Sequence, residues 1–148
     1  MWDHIFVDNN LWVNYTAQHY ISFMVYGVLG FLFIRHAHYN WTEDKQWKYL
    51  LYFCIALWIV QYAKVFTRWK LGIFNPHIDY PLELCNMLPV FMTAMAYLRN
   101  RNMWALFFIW IFVGTFQANL TPTLRDAFPH YEYWRYWIIH MGLPIAAL

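Results

Sequence analysis

Two side chains in this 148-residue chain are equipped for covalent chemistry, Cys85 and His140. A thiolate is a strong nucleophile, and an imidazole takes and returns protons near neutral pH. Together they are the pairing that acyl transfer through a thioester requires. Cys85 follows Tyr80-Pro81-Leu82-Glu83-Leu84, and proline suits the first turn of a helix. The thiol therefore falls within a turn or two of a helix start, where the partial positive charge favours thiolate. Glu83 opposes that unless a cation such as Lys64 pairs with it. His140 has apolar neighbours on both sides, Ile138-Ile139 and Met141. Buried cysteine is also common as a small apolar residue, so the thiol alone assigns no function.

The elements that hold these groups must be membrane helices. The chain is 61% hydrophobic and 12% charged, against about 25% charged in soluble domains. Aromatic residues make up 24%, with 10 Trp, which suits an extensive membrane–water interface. A net charge of +2, with basic residues at span ends rather than in one patch, excludes a nucleic-acid partner. Five apolar spans can be drawn, at 19–34, 49–66, 82–98, 103–120 and 133–148. The expected fold class is all-α, a polytopic transmembrane helical bundle forming one domain over 1–148. The fifth span is still apolar at Leu148, which suggests truncation and further spans. Asn75-Pro76, Asn100-Arg101-Asn102, Thr121-Pro122 and Phe128-Pro129 punctuate the loops.

Arg35, Lys45, Lys48, Arg99 and Arg101 fall on one side of the alternating spans, and the N-terminal tail has no Lys or Arg. That asymmetry favours a multi-pass protein of the cell membrane with an external N-terminus. The same alternation brings polar residues to one level. Cys85 lies ~5 Å inside its span and His140 ~10 Å inside its own. Gln61 and Lys64 approach that edge from span 2, and Gln117, Asn119 and Thr121 from span 4. Glu83 and Asn86 flank Cys85, while Gln18, His19 and Ser22 open span 1. Polar groups in lipid must be satisfied within the protein, so these residues predict a wet cavity open to one face. The blander reading is that residues near span ends reach interfacial water and that Lys64 snorkels.

Other candidates carry less. Cys54 sits between Phe53 and Ile55 and reads as packing, too deep for a disulfide with Cys85. His4, His77 and His130 show no metal-ligand spacing, and neither a metal nor another cofactor is expected. Gly27 and Gly30 suit close helix packing. Pro89 and Pro144 are expected to kink their spans. Phe107–Phe116 reads as lipid-facing surface and packing.

From Tyr80 to Leu148 the chain resembles the YwaF-like integral membrane proteins of bacteria, related to animal transmembrane protein 164. The resembling pieces are Pro81-Leu82-Glu83-Leu84-Cys85, Gly114-Thr115-Phe116-Gln117-Ala118, Thr121-Pro122, Phe128-Pro129-His130, and His140 followed by Gly142. The first 79 residues match only in hydropathy and span number. The resemblance implies a phospholipid acyltransferase with Cys85 as acyl carrier and His140 as the histidine it needs. Bacterial members often have histidine where this chain has Glu83, and the family usually has more spans. The expected reaction moves a fatty acyl chain between phospholipids or lysolipids, with membrane lipids as partners and Gln117 or Asn119 donating to the oxyanion. Two other classes stay open, a small-solute or proton carrier or channel, and a non-catalytic subunit whose polar groups only join helices.

Overall fold

The computed structural model describes residues 11–80 and 82–148, so the expectations for His4 and Pro81 lie outside the described residues. Within them the chain is helical. The long helices are α1 (Ala17–Asn40), α2 (Glu43–Lys70), α4 (Leu84–Leu98), α5 (Arg101–Leu120) and α6 (Tyr131–Ala147), with a single-turn α3 (Pro76–Asp79) leading toward α4. Each long helix coincides with one apolar span. The helices α1 and α2 extend well past their apolar runs because backbone hydrogen bonding does not stop where hydrocarbon ends. At ~1.5 Å per residue, α2 is about 42 Å long, more than a bilayer core. By length and composition α1, α2 and α5 are suited to crossing a membrane, and α4 is apolar but shorter.

Local sequence explains the ends. Asn100 accepts from the Met103 amide at the start of α5, and His130 Nδ1 accepts from the Glu132 amide at the start of α6. Asn75 accepts from the His77 amide at α3. Arg99, with φ of 51°, takes the left-handed conformation that closes α4. Pro89 and Pro144 both lie inside continuous helices. Thr93 Oγ1 donates to the Pro89 carbonyl at 2.7 Å.

The last helix is the hub. Helix α6 packs against α1, α2, α4 and α5, and 11 of its residues are buried, the run His140–Pro144 among them. Small residues on α6 and on α1 allow the close approach. A Cβ on Gly142 would stand 2.7 Å from Leu57 Cδ2 and 3.3 Å from Cδ1, and a Cβ on Gly30 would overlap Ile145. Cys54, Leu57, Leu88, Met92, Ile111, Ile139 and Leu143 form the apolar core. Cys54 is fully buried there, as packing. By contrast Ile21, Met24, Val28, Leu29 and Phe31 on α1, and Ile109, Trp110 and Val113 on α5, face outward. In water such a belt would be a large apolar patch, whereas in lipid it is the normal surface.

Gly142→Ala should therefore destabilise the bundle by about 1–3 kcal/mol, because Leu57 is buried and has little room to yield. Thermal unfolding in detergent checks this; an unchanged midpoint would mean that α2 and α6 are not held this closely.

Candidate functional site

The helices alternate in direction, so one end of the bundle collects the end of α2, α3, the start of α4, the end of α5 and the start of α6. Tyr131 donates to the Val60 carbonyl at 2.6 Å across this end. At the other end the Trp104 indole donates to the Ala147 carbonyl at 3.2 Å, Arg99 pairs with Asp44 at 2.5 Å, and Arg101 pairs with Glu43.

Cys85 is the second residue of α4 and is half-buried. The first amides of a helix have no acceptor one turn back, and the Cys85 amide is among them. Glu83 is the exposed N-cap residue, and its Oε2 accepts from Asn86 Nδ2 at 3.1 Å. The expected cation beside Glu83 is elsewhere: Lys64 lies 3.3 Å from Glu132 and 3.6 Å from Asp79.

His140 is buried at 8% exposure. Its Nδ1 lies 3.0 Å from the Tyr136 carbonyl, one turn back on α6. A carbonyl only accepts, so Nδ1 carries the proton and Nε2 holds a lone pair. Nε2 has no hydrogen-bond partner among the described residues. The Tyr136 ring stacks on the imidazole with centroids 4.0 Å apart, and its hydroxyl donates to the Ala118 carbonyl at 2.7 Å. Tyr136 is also within electrostatic reach of Cys85 and Glu83. Among the described residues no hydrogen bond joins the thiol to the imidazole.

The remaining polar residues divide by what already holds them. Gln61, 1% exposed, accepts from Arg135 at 2.7 Å. Arg135 also donates to Glu132 at 2.7 and 2.9 Å, Glu132 faces Lys64, and Asp79 takes Arg68 at 2.8 Å. This chain of charges ties α2 to α6 and to the connector before α4. Asp79 Oδ2 also accepts the Asn75 amide at 2.7 Å. Burial raises the Asp79 pKa, but the Asn75 amide, Arg68 and Lys64 outweigh it, leaving the carboxyl below the usual carboxylate value.

Asn119 is fully buried and its amide donates to the His140 carbonyl at 2.9 Å. Its backbone carbonyl accepts from His19 Nε2 at 2.9 Å, while His19 Nδ1 takes the Tyr15 amide. Asn119 thus clasps α1 and α6 to α5. Its free Oδ1 is an acceptor, the wrong polarity for an oxyanion. Gln117 and Thr121 are exposed, and Thr121 Oγ1 donates to the Gln117 carbonyl at 3.2 Å.

The wet cavity anticipated here is largely filled by the ion pairs; a pocket of about 10 Å³ remains beside Lys64, Arg68 and Glu132. The larger cavity, about 320 Å³, is at the other end, walled by Phe33, Trp41, Leu50, Phe53, Trp104 and Ile145. Polar residues of separate helices do converge, then, but chiefly on one another. Among the described residues no group of three His, Cys, Asp or Glu side chains is arranged to hold a metal.

Sequence reasoning missed Tyr136, Arg135, Glu132 and Asp79. Tyr136 had a legible signal, four residues before His140 and so on the same helix face. Asp79 had none, because its partners are on another helix.

No curated protein and no solved structure matches the chain. A sequence model of the TMEM164 family matches residues 14–148, reaching far upstream of the Tyr80–Leu148 stretch in which the resemblance was legible. That match takes in every long helix, and the chain belongs to the TMEM164 family, as an integral membrane protein.

Proposed function

We propose that this protein transfers a fatty acyl chain between phospholipids or lysolipids through a thioester on Cys85, with His140 moving the proton. The observation that supports this most is the state of His140. Its Nδ1–H is committed to the Tyr136 carbonyl, which leaves the Nε2 lone pair as the base available to a thiol.

In the first half-reaction the Cys85 proton passes to His140 Nε2 and the sulfur attacks the ester carbonyl. The ester C–O bond then breaks, the proton goes to the departing glycerol oxygen, and the lysolipid leaves. In the second half His140 takes the proton of an acceptor hydroxyl, whose oxygen attacks the thioester. The C–S bond breaks and the proton returns to sulfur. Thiol and imidazole contacts of this kind are often loose without substrate and tighten when it binds. With Asn119 engaged by His140 and Gln117 exposed, the oxyanion falls to the Cys85 amide at the start of α4, since the Asn86 and Met87 amides already donate to the Glu83 carbonyl. Gln61 and Lys64 contribute to the bundle rather than to the chemistry.

A non-catalytic role is favoured by one observation, that Gln61, Lys64 and Asn119 are all used in contacts between helices. Proteoliposomes containing a donor phospholipid and an isotopically labelled lysophospholipid separate the two. Acyl transfer predicts labelled diacyl product with the wild type and none with Cys85→Ala at equal folded protein. A non-catalytic subunit predicts no product from either.

A further inference from the structure

Tyr136 has a place in the site that the proposed chemistry does not use directly. Three of its groups converge on His140 or its surroundings. Its carbonyl receives Nδ1–H at 3.0 Å, its ring covers one imidazole face at 4.0 Å between centroids with planes 23° apart, and its hydroxyl is tethered to the Ala118 carbonyl at 2.7 Å. A free imidazole rotates about two side-chain bonds and exchanges tautomers. Here the carbonyl selects the tautomer, the ring limits rotation, and the tether to the end of α5 limits movement of the ring itself. The residue is 6% exposed, and its ring shields the imidazole face it covers from bulk water.

We propose that Tyr136 is the positioning residue of this site, presenting His140 Nε2 to the Cys85 thiol in a single tautomer. It does so through the imidazole and touches no reacting atom. The inference rests on the thiol–imidazole reading, but its consequences are measurable without any lipid substrate. A histidine base must be held in one tautomer by the partner of its other nitrogen, the same role that second partners play for histidines in other sites. Stacking and tether are separable by mutation, since phenylalanine keeps the ring and loses only the hydroxyl.

The test uses the whole chain in nanodiscs and reads the rate of Cys85 alkylation by iodoacetamide against pH, with the modified residue located by peptide mass. Cys54 is buried in the core and serves as an internal blank. Tyr136→Phe should stay within about threefold of wild type. Tyr136→Leu keeps the carbonyl, and with it the tautomer, but loses the ring that fixes the imidazole. It should fall severalfold toward the rate of His140→Gln, with a weakened limb of the pH profile. In wild-type protein labelled with ¹⁵N-histidine, the His140 ring should show a protonated Nδ1 and a bare Nε2, a reading that needs no variant to fold.

The outcomes are distinct. If His140→Gln slows alkylation but Tyr136→Leu matches wild type in rate and profile, the role of Tyr136 is overturned and the thiol–imidazole reading stands. If His140→Gln leaves the rate unchanged, the imidazole does not activate the thiol and both are overturned. An Nε2–H tautomer in the wild type overturns the positioning role directly.

Discussion

Cys85→Ala is expected to remove acyl transfer altogether, and His140→Gln to slow it by about a hundredfold or more at neutral pH. Loss of a positioned general base typically costs 10²–10⁴-fold. Both should leave the thermal midpoint of the purified protein within a few degrees of wild type. Cys85 is half-buried at a helix start, and His140 donates only to a carbonyl of its own helix. Asn119 provides the comparison. Its replacement by alanine removes the buried side-chain bond to the His140 carbonyl, while the backbone carbonyl still accepts from His19, and should lower stability first, with activity falling only as folded protein is lost. Product formation measured at equal folded protein checks all three. Equal activity in Cys85→Ala and wild type would remove the thioester.

The second large effect concerns the ion pairs that join α2, α3 and α6. Asp79 has no exposed side-chain surface and faces Arg68 and Lys64. Asp79→Asn keeps the shape and removes the charge, leaving two cations without their acid. Breaking a buried pair from one side is strongly destabilising, and here about 3 kcal/mol is expected. Arg135→Met should cost a similar amount, since Glu132 and Gln61 both lose their donor.

The pH dependence follows from the sign of the shift. The Asp79 carboxyl is held below its ordinary value, so its stabilisation is present above the unfolded-state pKa, about 3.9, and is lost as pH falls through the lower folded value. Wild type should therefore lose stability on acidification below about pH 4, while Asp79→Asn should lose less of its own across the same range. Unfolding midpoints in detergent between neutral and acid pH test this. Parallel curves for the two proteins would mean that Asp79 is not the acid holding the connector.

Much of the scaffold was legible before any coordinates. Uninterrupted apolar runs fix where helices lie, because lipid leaves backbone groups no other partner. The turn at Asn100 likewise follows from local chemistry. The connection after the first span, drawn from the apolar runs as 35–48, is only Trp41-Thr42 because both helices run on past their apolar stretches. Gly30 was readable as a place of close approach, and Cys54 as core. What escaped was the direction in which each residue faces. Gln117 and Asn119 are two positions apart and so point about 200° away from each other around α5. Only one of them can enter the bundle, and hydropathy does not say which. Asn119 does, and it bonds to backbone rather than presenting an amide to substrate.

The same limit explains why the ion pairs could not be told from a cavity. Glutamine, lysine and arginine at one depth are equally compatible with a water-filled hollow and with a closed set of pairs. The choice rests on Asp79 and Glu132, acids placed outside the apolar runs yet within reach of Lys64. Nor did the sequence mark α6 as the hub, a role fixed by four helices meeting it. Tyr136 and His140 share a face by spacing alone, but that the ring lies flat on the imidazole depends on the tether to Ala118.

The most direct test of the account is the intact mass of the protein after incubation with a donor phospholipid and no acceptor. The account predicts a mass increase of one fatty acyl group on wild type, located on Cys85 and released by hydroxylamine. It predicts accumulation of the adduct when acceptor is withheld, and none on Cys85→Ala. A wild-type protein that makes labelled product while Cys85 never carries an acyl group would contradict it.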